Sequence, residues 1–119
     1  MSIQNQRGRE GEQQAADYLI TKGYSILFRN YRYLKAEIDI IASKDDILAI
    51  VEVKYRSSSH LGNIAETVTR KKIKLLLMAA DHYITDQKID MEVRFDIITL
   101  LKTRDDMHIE HMEDAFYHF

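Results

Sequence analysis

The sequence predicts an α/β fold in which a mixed β-sheet is flanked by two helices. Three observations predict it: an opening helical pattern, a hairpin pattern of two strands, and a second helical pattern followed by an apolar strand. The order of elements is therefore α-β-β-β-α-β, with a last strand as an option. With 119 residues, no proline, four glycines and no linker or repeat, residues 1–119 are expected to form one domain.

The first helix is predicted from about Gly8 to Lys22. Gly23 fits the position just past a helix end, where a left-handed backbone conformation is common. Residues 24–33 (YSILFRNYRY) are rich in β-branched and aromatic side chains, which favour a strand. One stripe of the helix contains Gly8, Glu12, Ala15, Ala16 and Leu19.

Residues 36–55 (AEIDIIASKDDILAIVEVKY) are predicted to form a β-hairpin. If residues 45–46 lie at the centre of its turn, Asp39 lies opposite Glu52. The same register places Glu37 opposite Lys54. Three carboxylates and one lysine are thus expected close together, at the end of the hairpin that is far from the turn.

Both faces of this hairpin are mainly apolar. Strand alternation predicts one face with Glu37, Asp39, Ile41, Leu48, Ile50, Glu52 and Lys54. The opposite face is predicted to contain Ile38, Ile40, Ala49, Val51 and Val53. Because an apolar strand face needs cover, both sides of the hairpin are expected to be packed, with the charged group at the margin of a core.

A carboxylate group at the margin of a core needs compensation. Two carboxylates about 5 Å apart repel by roughly 3 kcal/mol at an effective dielectric constant near 20. Lys54 can neutralise one, and Asp39 with Glu52 then predict a hard divalent cation, Mg²⁺ or Mn²⁺. Such an ion beside a lysine suits phosphodiester hydrolysis, with Lys54 orienting water or stabilising phosphate charge. The alternative is a set of ordinary cross-strand ion pairs.

The second helix is predicted over residues 66–84, after a polar loop at 56–63. Residues 92–101 (EVRFDIITLL) are predicted to form a strand, and 107–116 are the optional last one. Asp96 lies among apolar residues and is expected to pair with Arg94 or a backbone group. One side of the helix contains Val68, Lys72, Leu75, Leu76, Ala79 and Tyr83.

The start of the second helix carries the positive charge that a nucleic acid would need. Arg56 and the polar loop lie between that helix and the charged hairpin. The net charge is −2, so the placement of cations, and not their total, supports this interpretation. A solvated helix face is the alternative. The four cations of the helix start are Arg70, Lys71, Lys72 and Lys74.

The sequence contains no base-reading motif that we can identify. Recognition by backbone geometry, in branched, flapped or single-stranded DNA, is therefore favoured over recognition of a base sequence. The absence of cysteine excludes disulfides and thiolate metal sites. No apolar run reaches the roughly 20 residues of a membrane helix, and the polar N-terminus does not resemble a secretion signal. A cytoplasmic protein without membrane contact is expected.

Asp39 followed by Glu52-Val53-Lys54 resembles the D…ExK signature of the PD-(D/E)xK nuclease superfamily. More narrowly, "RGREGEQQAADYLITKGYSILFRNYR" resembles the opening of the YraN-type family of small endonuclease-like proteins. "EIDIIA", "VEVKYRSSS", "ETVTRKK", "VRFDII" and "HMEDAF" continue the resemblance over nearly the whole chain. It departs from the family pattern at Ala36, where Gly is usual, and at Ile73, where Gln is common.

The resemblance implies a restriction-endonuclease-like fold similar to that of archaeal Holliday-junction resolvases. It implies that Asp39 and Glu52 are metal ligands, with the Val53 carbonyl as a third and Lys54 as the catalytic lysine. Glu12 would complete the acidic site from the first helix, and a homodimer is expected by analogy. Two other functions stay open: a non-catalytic nucleic-acid-binding protein with the nuclease fold, and an interaction adaptor in which the charged hairpin serves only structure.

Overall fold

The computed structural model of the protein describes residues 3–57 and 68–116, and side chains except those of 3–9 and 57. The elements follow the predicted order, and the optional last strand is present. They are α1 (Ile3–Thr21), β1 (Ser25–Tyr33), β2 (Ala36–Lys44), β3 (Ile47–Ser57), α2 (Arg70–Gln87), β4 (Glu92–Lys102) and β5 (Met107–Met112). The predicted polar loop after the hairpin falls mostly on 58–67, outside the described residues.

Across the described ranges the strands form one mixed sheet in the order β1-β2-β3-β4-β5. The β3–β4 pair is parallel and the other neighbouring pairs are antiparallel. Each face is covered by one helix. The core beneath α1 includes Ala15, Ala16, Leu19, Ile40, Ala49, Val51 and Ile98, and the core beneath α2 includes Ile38, Ile41, Leu48, Ile50, Leu76, Ala79 and Phe95. The predicted fold class, a mixed sheet flanked by helices, is confirmed.

The two helices differ from the predicted ones at their starts. Helix α1 begins at Ile3, ahead of the predicted start at Gly8. Residues 3–7 contain no proline, and their Gln and Arg residues favour a helix. It ends as predicted: Gly23 has a φ of 94°. Helix α2 begins at Arg70 because Thr69 is its N-cap, accepting a hydrogen bond from the Lys72 N–H at 3.1 Å. Neither helix, as far as the structure describes them, has the length and apolarity to cross a membrane.

The β2–β3 hairpin has the predicted turn, and it has the predicted register from Lys44–Ile47 to Ile40–Val51. Its turn is the two-residue segment 45–46, with Asp45 at a positive φ of 54°. The recorded pairs run from Lys44–Ile47 to Ile40–Val51, and the next step of this register would set Asp39 opposite Glu52.

The faces of β2 differ from the predicted ones at Asp39. Ile38 packs beneath α2, whereas Ile40 packs beneath α1, although residues two apart in a regular strand share a face. On β1 the residue between the partners of Ile38 and Ile40 is Asn30, with a left-handed φ of 55°. The strand therefore changes faces at Asp39, and placing Ile38 and Ile40 on one face was wrong. This irregularity positions the candidate site.

Candidate active site

Asp39 lies where the β2–β3 ladder ends. Its Oδ2 accepts a hydrogen bond from the backbone N–H of Val53 at 2.8 Å, so its carboxylate takes a place that a backbone carbonyl takes in a regular ladder. Burial, and then the charge of Glu52, raise the pKa of Asp39 to about 7, against the opposing effect of the Val53 hydrogen bond. The two carboxylates are thus close enough for one to hold back the ionisation of the other.

Glu52 is a buried carboxylate with two different oxygen environments. Its residue exposure is 4%. Oε1 forms ion pairs with two ammonium groups, that of Lys72 at 2.7 Å and that of Lys54 at 3.3 Å. Oε2 is buried and has no hydrogen-bond partner among the described residues. A buried acceptor without a partner is unfavourable by about 1–3 kcal/mol, so Oε2 is a vacant position for a donor or a cation.

Lys72 approaches Glu52 from the first turn of α2. Burial alone would lower the pKa of Lys72, but its hydrogen bond to Glu52 and the nearby carboxylates raise it. Its side chain is therefore a cation at neutral pH. The sequence predicted Lys72 as a nucleic-acid contact beside the other helix cations. In this structure its ammonium contacts Glu52.

The remaining predicted cations lie on β3 and α2. Arg70, Lys71 and Lys74 are exposed on α2. Arg56 is half-buried, and its Nη1 donates to the Tyr55 carbonyl at 2.9 Å. Arg56 belongs to the end of β3, the strand that contains Lys54. The other three belong to the first turns of α2, the helix that contains Lys72.

Asn30 connects Glu12 and Glu37, the two outer carboxylates of the site. Asp39 and Glu52 are its inner pair. With its amide nitrogen facing them, as hydrogen bonding requires, Asn30 donates to Glu12 Oε2 at 3.0 Å and to Glu37 Oε1 at 3.1 Å. Burial raises the pKa of Glu12, opposed by Asn30 and Arg29, while Glu37 and Glu52 add to the increase. Glu12 is therefore within electrostatic reach of the inner pair, and its direct contact is Asn30.

The hairpin register suggested that Glu37 pairs with Lys54, but the two residues do not pair. The ionic partner of Glu37 is Arg32 of β1, with Nε and Oε2 3.4 Å apart. Arg32 is also its cross-strand neighbour in the β1–β2 pair. The predicted pairing was wrong because the β2–β3 ladder ends at Ile40–Val51, whereas the β1–β2 ladder continues to Ala36.

The metal-binding capacity of this site lies in its inner pair. Among the described residues, no three His, Asp or Glu side chains are grouped so that they could hold a metal ion together. Mg²⁺ is commonly held by one or two carboxylates, with water and substrate phosphate as its other ligands. Asp39 and the partnerless Oε2 of Glu52 fit that pattern. A residue's N–H and C=O face the same strand edge, so the Val53 carbonyl faces the Asp39 side.

A second polar cluster surrounds Asp96, which is 0% exposed. Arg94 donates to both of its oxygens, from Nε at 2.9 Å and from Nη2 at 2.8 Å. His111 Nε2 lies 2.8 Å from Oδ2, and the Asp114 N–H donates to Oδ1 at 3.1 Å. Burial would raise the pKa of Asp96, but these contacts outweigh it and lower it. The predicted pairing of Asp96 with Arg94 is confirmed, and the cluster fastens the end of β5 to β4.

Two residues of the site carried sequence signals that were not used. Asn30 is one of the few residue types that adopt a left-handed conformation readily, so an Asn inside an aromatic strand indicates an irregularity. Lys72 belongs to the apolar stripe of the second helix, where a cation requires a buried partner.

Comparison with known families places the chain. The model of the Uncharacterised protein family UPF0102 matches residues 11–100, a range that contains Glu12, Asp39, Glu52, Lys54 and Lys72. The UPF0102 protein FP2501 of Flavobacterium psychrophilum is 50% identical over 119 residues, covering 100% of both chains. The UPF0102 protein of Christiangramia forsetii is 45% identical over 119 residues, again with 100% of both covered. That of Parabacteroides distasonis is 47% identical over 117 residues, covering 98% of this chain and 97% of the relative. The chain belongs to the UPF0102 family.

Proposed function

We propose that this protein is a metal-dependent endonuclease that hydrolyses phosphodiester bonds in branched, flapped or single-stranded DNA. The observation that carries the proposal is the buried Oε2 of Glu52, which has no partner among the described residues. It lies beside Asp39, and the pKa of Asp39 is raised to about 7. A divalent cation between these carboxylates would occupy the vacant acceptor and remove the repulsion that keeps Asp39 partly protonated. Most buried polar atoms in folded proteins have a hydrogen-bond partner, so a buried carboxylate oxygen without one needs an explanation.

Asp39 and Glu52 are the residues that we assign to hold Mg²⁺ or Mn²⁺. The Val53 carbonyl is the candidate for a third protein ligand, since it faces the same strand edge. Glu12, which contacts Asn30, is placed outside the direct ligands, where it adds negative charge that favours a cation. When bound, the ion would polarise a phosphoryl oxygen and lower the pKa of a coordinated water.

Lys54 is the residue that we assign to the reacting phosphate. Its ammonium is 3.3 Å from Glu52 Oε1, and its side chain is 15% exposed, so it is fixed beside the carboxylate pair. From there it can orient the attacking water or stabilise the negative charge that develops on the phosphate. An ammonium in a partly desolvated position is more effective at this than an exposed one.

Arg56, Arg70, Lys71 and Lys74 are proposed to bind the DNA backbone. They are the cations nearest in sequence to Lys54 and Lys72, and three of them are exposed on one helix start. Such contacts go to phosphate and do not read bases, which suits recognition of DNA shape. A homodimer and a cytoplasmic location stay predictions.

Cleavage assays with matched lysine variants test the proposal. The protein is incubated with flapped, branched, single-stranded and duplex DNA in Mg²⁺, in Mn²⁺ and in a chelator, beside Lys54→Met and Lys102→Met. Lys102 is an exposed lysine at the end of β4. We expect cleavage of structured DNA that requires metal, a loss of at least about a hundredfold in Lys54→Met, and wild-type rates in Lys102→Met.

The other outcomes separate the remaining functions. Binding of structured DNA without cleavage in either metal would support a non-catalytic nucleic-acid-binding protein. If the protein neither binds nor cleaves nucleic acid, the charged hairpin serves structure or another partner. Equal cleavage by Lys54→Met and wild type would show that the activity comes from another centre or another protein.

A further inference from the structure

Lys72 is a second ammonium on a carboxylate that already has one. Its Nζ is 2.7 Å from Glu52 Oε1, closer than Lys54 Nζ at 3.3 Å. The two lysines differ in burial, since the side chain of Lys72 is 42% exposed and that of Lys54 is 15% exposed. One ammonium is enough to neutralise one carboxylate, and the second ammonium also lies near the charges of Asp39 and Glu37.

We propose that Lys72 is an exchangeable cation of the active site. It neutralises Glu52 in the metal-free protein, and it transfers to a phosphate of the substrate when a divalent cation binds Glu52. This inference rests on the proposed function and adds a role for a residue of the second helix.

Charge balance is the first argument for the transfer. A divalent cation on Oε2 of Glu52 would lie on the same carboxylate as two ammonium groups, and like charges at such distances repel. The more exposed group has the easier path away, and that group is Lys72. Its long flexible stem lets the ammonium move without displacing the helix.

The position of Lys72 on α2 is the second argument. The residue lies in the first turn, where helix N–H groups without intrahelical partners favour phosphate. Its neighbours Lys71 and Lys74 are exposed on the same helix start. An ammonium that leaves Glu52 toward solvent therefore enters a region that is already suited to a phosphate group.

Metal titration tests the displacement without nucleic acid. Mn²⁺ binding is measured by calorimetry for wild type, Lys72→Met and Lys71→Met, with Lys72→Gln as a second variant in case the first does not fold. Because Lys72 competes with the ion for Glu52, we expect Mn²⁺ to bind about tenfold more tightly to Lys72→Met and within about twofold of wild type to Lys71→Met. Unchanged or weaker Mn²⁺ binding to both folded Lys72 variants would overturn the inference.

DNA binding tests the transfer to phosphate. Affinity for a flapped DNA is measured in saturating Ca²⁺ and in a chelator, and the gain on adding Ca²⁺ is compared between variants. If Lys72 becomes available only with metal, the gain is about fivefold smaller in Lys72→Met than in wild type, whereas Lys71→Met weakens binding in both conditions and keeps the full gain. Lys72→Arg, which retains the charge, should restore most of it.

The two proposals fail in different ways. Equal Ca²⁺ gains in wild type, Lys71→Met and Lys72→Met would overturn the transfer while leaving the nuclease proposal intact. A wild-type protein that binds no DNA in either condition would overturn the proposed function and the transfer with it. The Mn²⁺ titration would then still decide whether Lys72 and a metal ion compete for Glu52.

Discussion

Asp39→Asn is expected to abolish metal binding and cleavage while stabilising the metal-free protein at pH 8. Asparagine keeps an oxygen that can accept the Val53 hydrogen bond, which Asp39 makes at 2.8 Å, so the local geometry is retained. It removes the charge that repels Glu52 and that would bind a cation. Since the proposed site has two carboxylate ligands, removing one should lower Mn²⁺ affinity and cleavage by at least about a hundredfold.

The stabilisation follows from the raised pKa of Asp39. Burial and Glu52 raise the pKa of Asp39 from 3.8 to about 7, so between these values the folded protein holds a proton that the unfolded chain has released. The free energy of unfolding of wild type therefore falls as pH rises through this window, and the loss is complete above about pH 7. The asparagine side chain of the variant does not ionise. The advantage of Asp39→Asn over wild type should therefore reach roughly 4 kcal/mol at pH 8 and vanish near pH 4.

Urea unfolding in a chelator at several pH values measures this advantage. The exposed Asp105, in the segment between β4 and β5, provides the control, because Asp105→Asn should follow the wild-type curve throughout. Saturating Mn²⁺ should stabilise wild type at pH 8 and leave Asp39→Asn unchanged. An Asp39→Asn protein that is no more stable than wild type at pH 8, or that binds Mn²⁺ equally well, would contradict the site as proposed.

The hairpin was predictable because local rules set its turn and register. Two aspartates between alternating apolar runs predict a two-residue turn, and the structure has that turn at 45–46. The face change at Asp39 was not predictable in this way. It depends on Asn30 of a neighbouring strand and on a side chain that replaces a backbone acceptor, and strand alternation contains neither.

The hairpin pattern identified the two carboxylates Asp39 and Glu52 and one of their cations, whereas the second cation depends on packing. The sequence placed Lys54 two residues from Glu52 on the same strand, and that contact is present. Lys72 reaches Glu52 because α2 packs on the sheet. Local sequence rules do not predict where a helix packs on a sheet, so this contact could not be predicted. In the same way Arg94 was foreseen as the partner of Asp96, whereas His111 reaches Asp96 through the pairing of β4 with β5.

Asp96→Ala is expected to destabilise the fold by about 3–5 kcal/mol, because it leaves the half-buried Arg94 guanidinium without its main partner. The Arg94 side chain is 16% exposed, and the pKa of Arg94 is raised by its hydrogen bond to Asp96. Urea unfolding at pH 7 measures the change. Glu113→Gln is the matched control: its carboxylate also contacts Arg94, at 3.4 Å, but its side chain is 59% exposed, so its removal should change the free energy of unfolding by less than about 0.5 kcal/mol.

A double variant separates the loss of a charged partner from the loss of packing. If the penalty comes from the guanidinium that has lost Asp96, Asp96→Ala combined with Arg94→Met should be at least about 1 kcal/mol more stable than Asp96→Ala alone. An additive result would assign the loss to packing around β5. The hydrogen-bond partners of Asp96 are Arg94, His111 and the Asp114 N–H, whereas Asp39 accepts from the Val53 N–H. Folded Asp96→Ala should therefore bind Mn²⁺ within about threefold of wild type, because the two aspartates have different partners: Asp96 fastens β5 to β4, and Asp39 is the residue proposed to bind the cation.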